Sequence, residues 1–230
     1  MNPNLAGTLA RGDGTQKKDL HSTEGMGIMP ICEQETTVFP ADLLQMPEAL
    51  AGAGPGEEPR QWWVLYTKSR QEKSLARDLL QYQIPFYLPL VRANKVYRKW
   101  KVSTYTPLFS GYVFLFGSHE ERGRSLTTNR LSRILPVEDG DSLSHDLRQL
   151  QLLIASGAPL TLEGRLAPGT RVRVRRGLLE GLEGTVLERR GQTRLLVSVN
   201  FLQQGASVDI DDFMLERLDH TPLVGRNLPR

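Results

Sequence analysis

PLFSGYVFLF, residues 107–116, joins a turn directly to an apolar, aromatic-rich strand. Successive side chains of a strand point to opposite faces, so Tyr112, Phe114 and Phe116 share one face of the sheet that this strand enters. If helices cover only one face, the set on the other face is an exposed apolar patch, which usually marks a protein partner. If both faces are covered, both sets belong to the core.

The pattern around this strand predicts a mixed α and β domain. WWVLYT at 62–67 is an apolar, β-rich run and predicts a buried strand. Ser69 and Glu72 fit a capping box for a helix that extends to about Tyr82. The following elements are an extended stretch with two prolines, a strand, a helix and a strand, at 84–91, 111–116, 119–129 and 131–137. This order is that of a split βαβ, ferredoxin-like α+β sandwich.

The second half of the chain predicts a small all-β module. A third helix, capped by Asp141 or Ser142, ends before Gly157 and Pro159. Short strands then alternate with glycine turns, which predicts a β-barrel of SH3-like size. We therefore expect an N-terminal extension, a first domain, a linker, a barrel and a tail at residues 1–60, 61–158, 159–167, 168–219 and 220–230.

The N-terminal extension differs from the rest of the chain in composition and charge. Residues 1–60 are rich in Gly, Pro and Ala and lack sustained periodicity, which predicts disorder; Val38–Leu44 is an apolar patch that suits a turn of helix or a docking motif. Four basic and nine acidic side chains give the extension a net charge of −5, and the remaining 25 basic and 17 acidic side chains give the body +8. A basic body indicates a polyanionic partner, with nucleic acid first.

Patterns for catalysis, metal binding or membrane insertion are absent from the sequence. The four histidines are scattered, and Cys32 alone provides neither a disulfide within the chain nor a Cys-based zinc site. Residues 177–185 are faintly similar to a phosphate loop but lack its lysine, so their glycines are interpreted as hairpin and bulge positions. No apolar run suits a membrane helix or a signal peptide. We expect a cytoplasmic protein that is not an enzyme and holds no cofactor or metal.

Two basic stretches are candidates for nucleic-acid contact. The run 92–101 places five cations beside Tyr97 and Trp100, and its candidate contacts are Lys95, Arg98, Lys99 and Lys101. Cations pair with phosphates and aromatic rings stack on bases; the alternative is a solvated edge hairpin that its charges keep soluble. The second stretch is a polar helix end, with Arg122, Arg124, Thr127 and Thr128, for which a solvated helix with an asparagine cap is the alternative.

In this order, the opening strand, the 107–116 stretch and the glycine-rich 168–186 segment resemble the two modules of NusG-type transcription factors. Residues 62–67 match the opening strand of the NusG N-terminal domain, 70–73 its first helix and 107–114 its PLFPGYVF signature, with Ser110 in place of the usual proline. The second module resembles a KOW domain. The resemblance covers about 61–219, and LVSVNFLQQ at 196–204 is more similar to the specialised RfaH and UpxY types than to housekeeping NusG.

The resemblance implies a protein that acts by docking. The family binds the clamp helices of the largest RNA polymerase subunit through an apolar patch, and the matching positions are Tyr66, Phe109, Tyr112 and Phe114. It therefore implies that this patch is exposed. The polymerase β subunit and non-template DNA are further partners that it implies, near the 122–128 helix end, and nascent RNA is another candidate. The implied function is transcription elongation and antitermination, with suppression of pausing or termination, by a monomer.

The implied KOW module would recruit a further partner. Rho or a small-subunit ribosomal protein binds this module in the family, and the positions in question here are Leu178, Leu179 and Phe201. Leu178 and Leu179 stand where Pro-Phe is common, which does not favour Rho. An alternative of another class is an RNA-binding or ribosome-associated module that uses the barrel and the basic run. A third alternative is a KOW segment that refolds into helices, as in RfaH, although its glycines and β-branched strands favour a barrel.

Overall fold

The computed structural model describes residues 35–45, 58–97, 100–165, 169–189, 191–211 and 214–218, with the backbone alone for 94–103 and 189 within these ranges. The elements in chain order are β1 (Val38–Phe39), β2 (Gln61–Thr67), α1 (Glu72–Gln81), β3 (Phe86–Tyr87), β4 (Leu90–Tyr97), β5 (Trp100–Pro107), β6 (Tyr112–Gly117), α2 (His119–Leu126), β7 (Leu131–Pro136), α3 (Gly140–Ala155), β8 (Thr161–Glu163), β9 (Arg171–Val174), β10 (Glu183–Arg189), β11 (Gln192–Val199), β12 (Gln204–Asp209) and β13 (Leu215–Arg217).

The first sheet has five strands in the order β1-β3-β6-β2-β7, and every pairing is antiparallel. Residues that are paired across neighbouring strands share a face of the sheet. The register therefore lines up one continuous apolar row across all five strands, consisting of Val38, Tyr87, Phe114, Val64 and Leu135. This row includes Phe114, and Tyr112 and Phe116 lie on the same face of the sheet.

Both faces of the first sheet are covered. Leu75 and Leu79 of α1 pack on the face that carries Val113 and Leu115. On the other face, Phe114 belongs to one apolar cluster with Leu143, Leu147, Leu150 and Leu153 of α3 and with Leu43 and Leu44. Of the two arrangements considered for the 112–116 strand, the structure therefore has the one in which both faces of the sheet are covered.

The basic run lies on a separate two-stranded hairpin. Strands β4 and β5 pair antiparallel from Leu90 opposite Pro107 to Tyr97 opposite Trp100. Within the described residues, these two strands pair only with each other. The basic run therefore lies in a hairpin, which among the described residues is not part of a larger sheet.

The second sheet has six strands in the order β13-β9-β10-β11-β12-β8, again with antiparallel pairings. The predicted linker is not a free connection, because β8 lies within it and pairs with β12 through Thr161 and Ser207. The short strands expected between glycine turns are found as β9 to β12. The second module is thus wider than the sequence pattern indicated.

Two helix starts differ from the sequence expectation. Helix α1 begins at Glu72 without any side-chain hydrogen bond at its cap, so the Ser69–Glu72 capping box is wrong. The cap of α3 is Asp139, whose side chain accepts a hydrogen bond from the Ser142 amide at 2.9 Å. A capping box does form at α2, between Ser118 and Glu121.

Part of the extension that was expected to be disordered is folded. Residues 35–45 are placed, with β1 on the edge of the first sheet and Leu43 and Leu44 buried. The apolar patch Val38–Leu44 is therefore a docked strand followed by turns, rather than a turn of helix. The remaining residues of the extension before 58 lie outside the described ranges.

Candidate functional site

In the turn before β6, the backbone amide and the backbone carbonyl of Gly111 both form hydrogen bonds. The Gly111 amide donates a hydrogen bond to a carboxylate oxygen of Glu72 at 2.7 Å, and the Gly111 carbonyl accepts one from the Thr67 amide at 2.8 Å. Gly111 has φ +85°, a conformation that favours glycine. Glu72 therefore leaves its expected capping role and instead fixes the turn against the end of β2.

This turn places two tyrosines side by side at one end of the sheet. Tyr66 and Tyr112 are directly paired in the register of β2 and β6, and their ring centroids lie 5.2 Å apart at 51°. Tyr66 is 41% exposed and Tyr112 is partly buried. The pair presents apolar ring surface and hydroxyl groups together, a combination that is common at protein interfaces.

Phe109 and Phe114 are fully buried, with no exposed surface. The expectation that the whole patch is exposed is wrong for these two side chains, because α3 and residues 43–44 complete the cluster around them. Phe114 stacks on Tyr87 with centroids 6.4 Å apart. Burial raises the pKa of Tyr87, so this phenol stays neutral. In this conformation the two phenylalanines belong to the core and do not contact solvent.

The basic end of α2 is engaged with the domain itself. The guanidinium of Arg122 lies 5.0 Å from the Trp63 ring centroid, and that of Arg124 lies 5.4 Å from the ring of Tyr82. The hydroxyls of Thr127 and Thr128 donate to helix carbonyls at 2.7 and 2.8 Å. These contacts give all four residues a structural role, and Arg124 and Thr127 remain exposed as well.

The candidates on the basic run are only partly within the described residues. Lys95 lies in β4 opposite Val102, and Lys101 lies in β5 opposite Val96. Arg98 and Lys99, between the two strands, lie outside the described residues. Lys95 and Lys101 thus lie on the two paired strands of the hairpin.

The candidates of the second module do not form one surface. Leu178 is 78% exposed and Leu179 is partly buried, and both line a cleft of about 590 Å³ with Ile210 and Met214. Phe201 lines a different cleft, beside Asp139 and Leu143 at the start of α3. The structure therefore separates two apolar sites that the sequence had grouped.

Contacts between α3 and the second sheet were missed by sequence reasoning. The Asn200 amide donates to the Asp146 carboxylate at 2.8 Å, and the Glu183 amide donates to the Gln149 side chain at 2.9 Å. Burial raises the pKa of Asp146, and the hydrogen bonds from Asn200 and the nearby His145 oppose that rise. Partners that lie 54 and 34 residues apart leave no local sequence signal. Helix α3 thus joins the two sheets.

Features of other classes of site are not found in the described part of the chain. It holds no group of three or more His, Cys, Asp or Glu side chains arranged to bind a metal ion. None of its helices has the length and apolar character needed to cross a membrane.

Comparison with known proteins finds a similarity over part of the chain. Residues 60–140 match the NusG family model, described as transcription termination factor nusG, which spans the first sheet from β2 to β7. Over this segment the chain is similar to the NusG family. No curated protein matches it in sequence. The solved structure of NusG from Thermotoga maritima, titled for its domain interaction, matches 70% of this chain and 98% of its own length at 15% identity. The TM-score of this match is 0.36.

Proposed function

We propose that this protein is a transcription elongation and antitermination factor that docks on RNA polymerase. The observation that most supports this proposal is that the NusG-like segment 60–140 contains the partly exposed Tyr66–Tyr112 pair at the end of its sheet. A factor of this kind acts by binding, so it is not an enzyme and needs no cofactor, and its place of action is the cytoplasm. It acts as a monomer.

The topology supports a ferredoxin-like first domain. The strand order β3-β6-β2-β7, with α1 after β2 and α2 after β6, is the arrangement of a split βαβ sandwich. The meander β9-β10-β11-β12, with β13 and β8 as the edge strands beside it, supports an SH3-like KOW module. We assign the modules to 61–158 and 168–219, with β8 as an additional strand of the second.

Docking would use the tyrosine pair as anchors and the buried phenylalanines as their support. The partner is the clamp-helix pair of the largest polymerase subunit. Truncation of an aromatic anchor at the centre of an interface costs about 2 kcal/mol or more of binding energy. Because Tyr66 is exposed, Tyr66→Ala removes contact surface without emptying the core. The same truncation at Phe114 would empty the core first.

The basic surfaces would hold nucleic acid near the docked factor. Lys95, Arg98, Lys99 and Lys101 on the hairpin, and Arg122 and Arg124 on α2, are the proposed contacts with non-template DNA, nascent RNA or the β subunit, with Thr127 and Thr128 beside them. Each phosphate that is neutralised on duplex DNA steepens the salt dependence by about 0.9 in log–log slope. Binding that favours the closed, active polymerase would shift its population away from pausing.

The second module would recruit a further protein. The exposed Leu178 and the adjoining Leu179 open a cleft, and Phe201 offers a second apolar contact. A small-subunit ribosomal protein is the partner that we favour over Rho, since Leu178 and Leu179 replace the Pro-Phe that is common in the family.

The test is binding of the full chain to purified core RNA polymerase. We expect Tyr66→Ala and Tyr112→Ala each to weaken binding by about thirty-fold, which corresponds to the hot-spot energy above. Leu162→Ala is the control, because Leu162 is a large side chain of similar exposure, 50% against 41% for Tyr66, but lies in the second sheet. Unchanged affinity in both tyrosine variants, with the fold intact, would contradict docking through this face.

The alternative of an RNA-binding or ribosome-associated module rests on the basic hairpin. It predicts salt-sensitive RNA binding without polymerase, which is abolished when Lys95, Arg98 and Lys99 are replaced by glutamate. Under the docking proposal, the same replacement costs less polymerase affinity than Tyr66→Ala. Measuring both ligands with the same two variants therefore distinguishes the two functions.

A further inference from the structure

Residues 35–45, called the strap below, add a strand to the open edge of the first sheet. Val38 pairs with Tyr87 and Phe39 with Phe86, and the Leu88 amide donates to the Thr37 carbonyl at 2.6 Å. This is strand addition from within the same chain, the mode by which extended peptides bind sheet edges. Without the strap, β3 would be the edge of the sheet.

The strap extends the apolar row that carries Phe114. Val38 lies next to Tyr87 in the row, and the Tyr87 ring stacks on Phe114. The row position of Val38 therefore covers the side of Tyr87 that faces away from Phe114. Removal of the strap would open this end of the face on which Phe114 is buried.

The strap is anchored at three places. At its start, Glu35 forms ion pairs with Lys73 and Arg77 of α1 at 3.5 and 3.4 Å. Its middle pairs with β3, as described above. At its end, the Gln45 side chain donates to that of Gln151 in α3 at 3.1 Å. The strap thus crosses from α1 over the sheet edge to α3.

Burial of two leucines contributes most to the attachment of the strap. Leu43 and Leu44 are 5% and 2% exposed and belong to the cluster of Phe109 and Phe114. Exposed ion pairs contribute little to stability, whereas burial of each leucine contributes substantially. A two-residue strand is short, so loss of the two leucines should release the whole strap.

We propose that the strap is a displaceable strand ligand that masks the polymerase-docking face. The proposal rests on the docking function given above and assigns its regulation. In the closed state, polymerase reaches the tyrosine pair alone; when the strap leaves, the β3 edge and the Tyr87–Phe114 side of the face become available. Apparent affinity then rises in proportion to the fraction of molecules that are open.

The experiment opens and locks the strap in the full chain. Leu43→Ser with Leu44→Ser opens it, and Ala41→Ser with Asp42→Ser is the matched control, since both of these residues are exposed. For the locked form, Gln45→Cys and Gln151→Cys in a Cys32→Ser background are joined by a short thiol cross-linker. The Leu88 amide donates to the Thr37 carbonyl of the strap, so its hydrogen exchange reports strap opening without polymerase.

We expect the opened variant to bind core polymerase about ten-fold more tightly than the control, and the locked form to bind more weakly than before cross-linking. A synthetic peptide of residues 35–45 should reverse the gain of the opened variant, and a peptide with serine at both leucine positions should not. Equal affinity of the opened, locked and control proteins, with Leu88 exchange showing that the strap did open, would overturn the proposal. If the opened variant does not fold, the cross-link and its uncross-linked parent decide.

Failure of the docking function gives a different result. In that case Tyr66→Ala and Tyr112→Ala leave polymerase binding unchanged, whatever the state of the strap. If the tyrosine variants lose binding but strap opening has no effect, docking stands and the masking role is refuted.

Discussion

Gly111→Ala should destabilise the first domain through two separable effects. An added Cβ would lie 3.0 Å from Cε2 of Tyr66, closer than nearly all such contacts, and the residue has φ +85°. A left-handed backbone costs a residue with a side chain about 1–2 kcal/mol. Displacement of a partly exposed ring adds about 1 kcal/mol, the low end for overpacking. We expect a total loss of about 2–3 kcal/mol in the free energy of unfolding, together with weaker polymerase binding.

Two control glycines separate these effects. Gly181 has φ +81° but nothing within 4 Å of an added Cβ, so Gly181→Ala should show the backbone cost alone. Gly123, in α2, has neither feature, and Gly123→Ala should stabilise the helix by about 0.5–1 kcal/mol.

The assay is urea unfolding with hydrogen exchange, which follows β6 for Gly111 and β10 for Gly181. Exchange at each strand gives the stability of its own module, so the two sheets need not unfold together. A Gly111→Ala protein as stable as the wild type would refute the turn geometry. A loss at Gly181 as large as that at Gly111 would show that the contact with Tyr66 contributes nothing.

Three further predictions address local features. Burial raises the pKa of Asp146, so the stability that this carboxyl contributes is full below its ordinary pKa of 3.8 and is lost as the pH rises through the raised pKa. Asp146→Asn should remove this loss in a series of unfolding free energies measured against pH. An unchanged loss in the variant would contradict the prediction. Ser118→Ala should cost about 1 kcal/mol in urea unfolding by breaking the capping box of α2, whereas Ser69→Ala should cost much less, and equal losses would refute this difference. Arg194 donates to Thr161, Ser207 and Asp209, so Arg194→Met should speed hydrogen exchange in β8 but not in β10. The same change of exchange rate in both strands would show that Arg194 does not hold β8 in the sheet.

Periodicity predicted the strands well, because alternation and length are local properties. The apolar run 62–67 and the strand after Gly111 were found where expected, and the strands β9 to β12 lie within the range expected for the barrel. What alternation could not decide was exposure. Phe114 has the same spacing whether α3 covers it or not, and its burial depends on a helix about thirty residues further along the chain.

The two serine-led motifs show how a local rule fails. Ser69 and Glu72, and Ser118 and Glu121, have the same spacing, yet only the second pair forms a capping box. The Gly111 amide recruits the Glu72 carboxylate through a contact 39 residues away in sequence. Position 72 thus serves the candidate site instead of the helix, and only the tertiary structure decides between the two uses.

The burial pattern also determines at which residues a substitution can test docking without disturbing the fold. Phe109 and Phe114 touch the cluster that includes both α3 and the strap, so truncating either removes core contacts together with any contact to a partner. A loss of binding in such a variant would not identify the interface, since alanine scanning includes the cost of reorganising the free protein. Tyr66 lies outside that cluster and is exposed, and Tyr112 only borders it. The two tyrosines, rather than the phenylalanines of the signature stretch, are therefore the residues at which a docking surface is best tested.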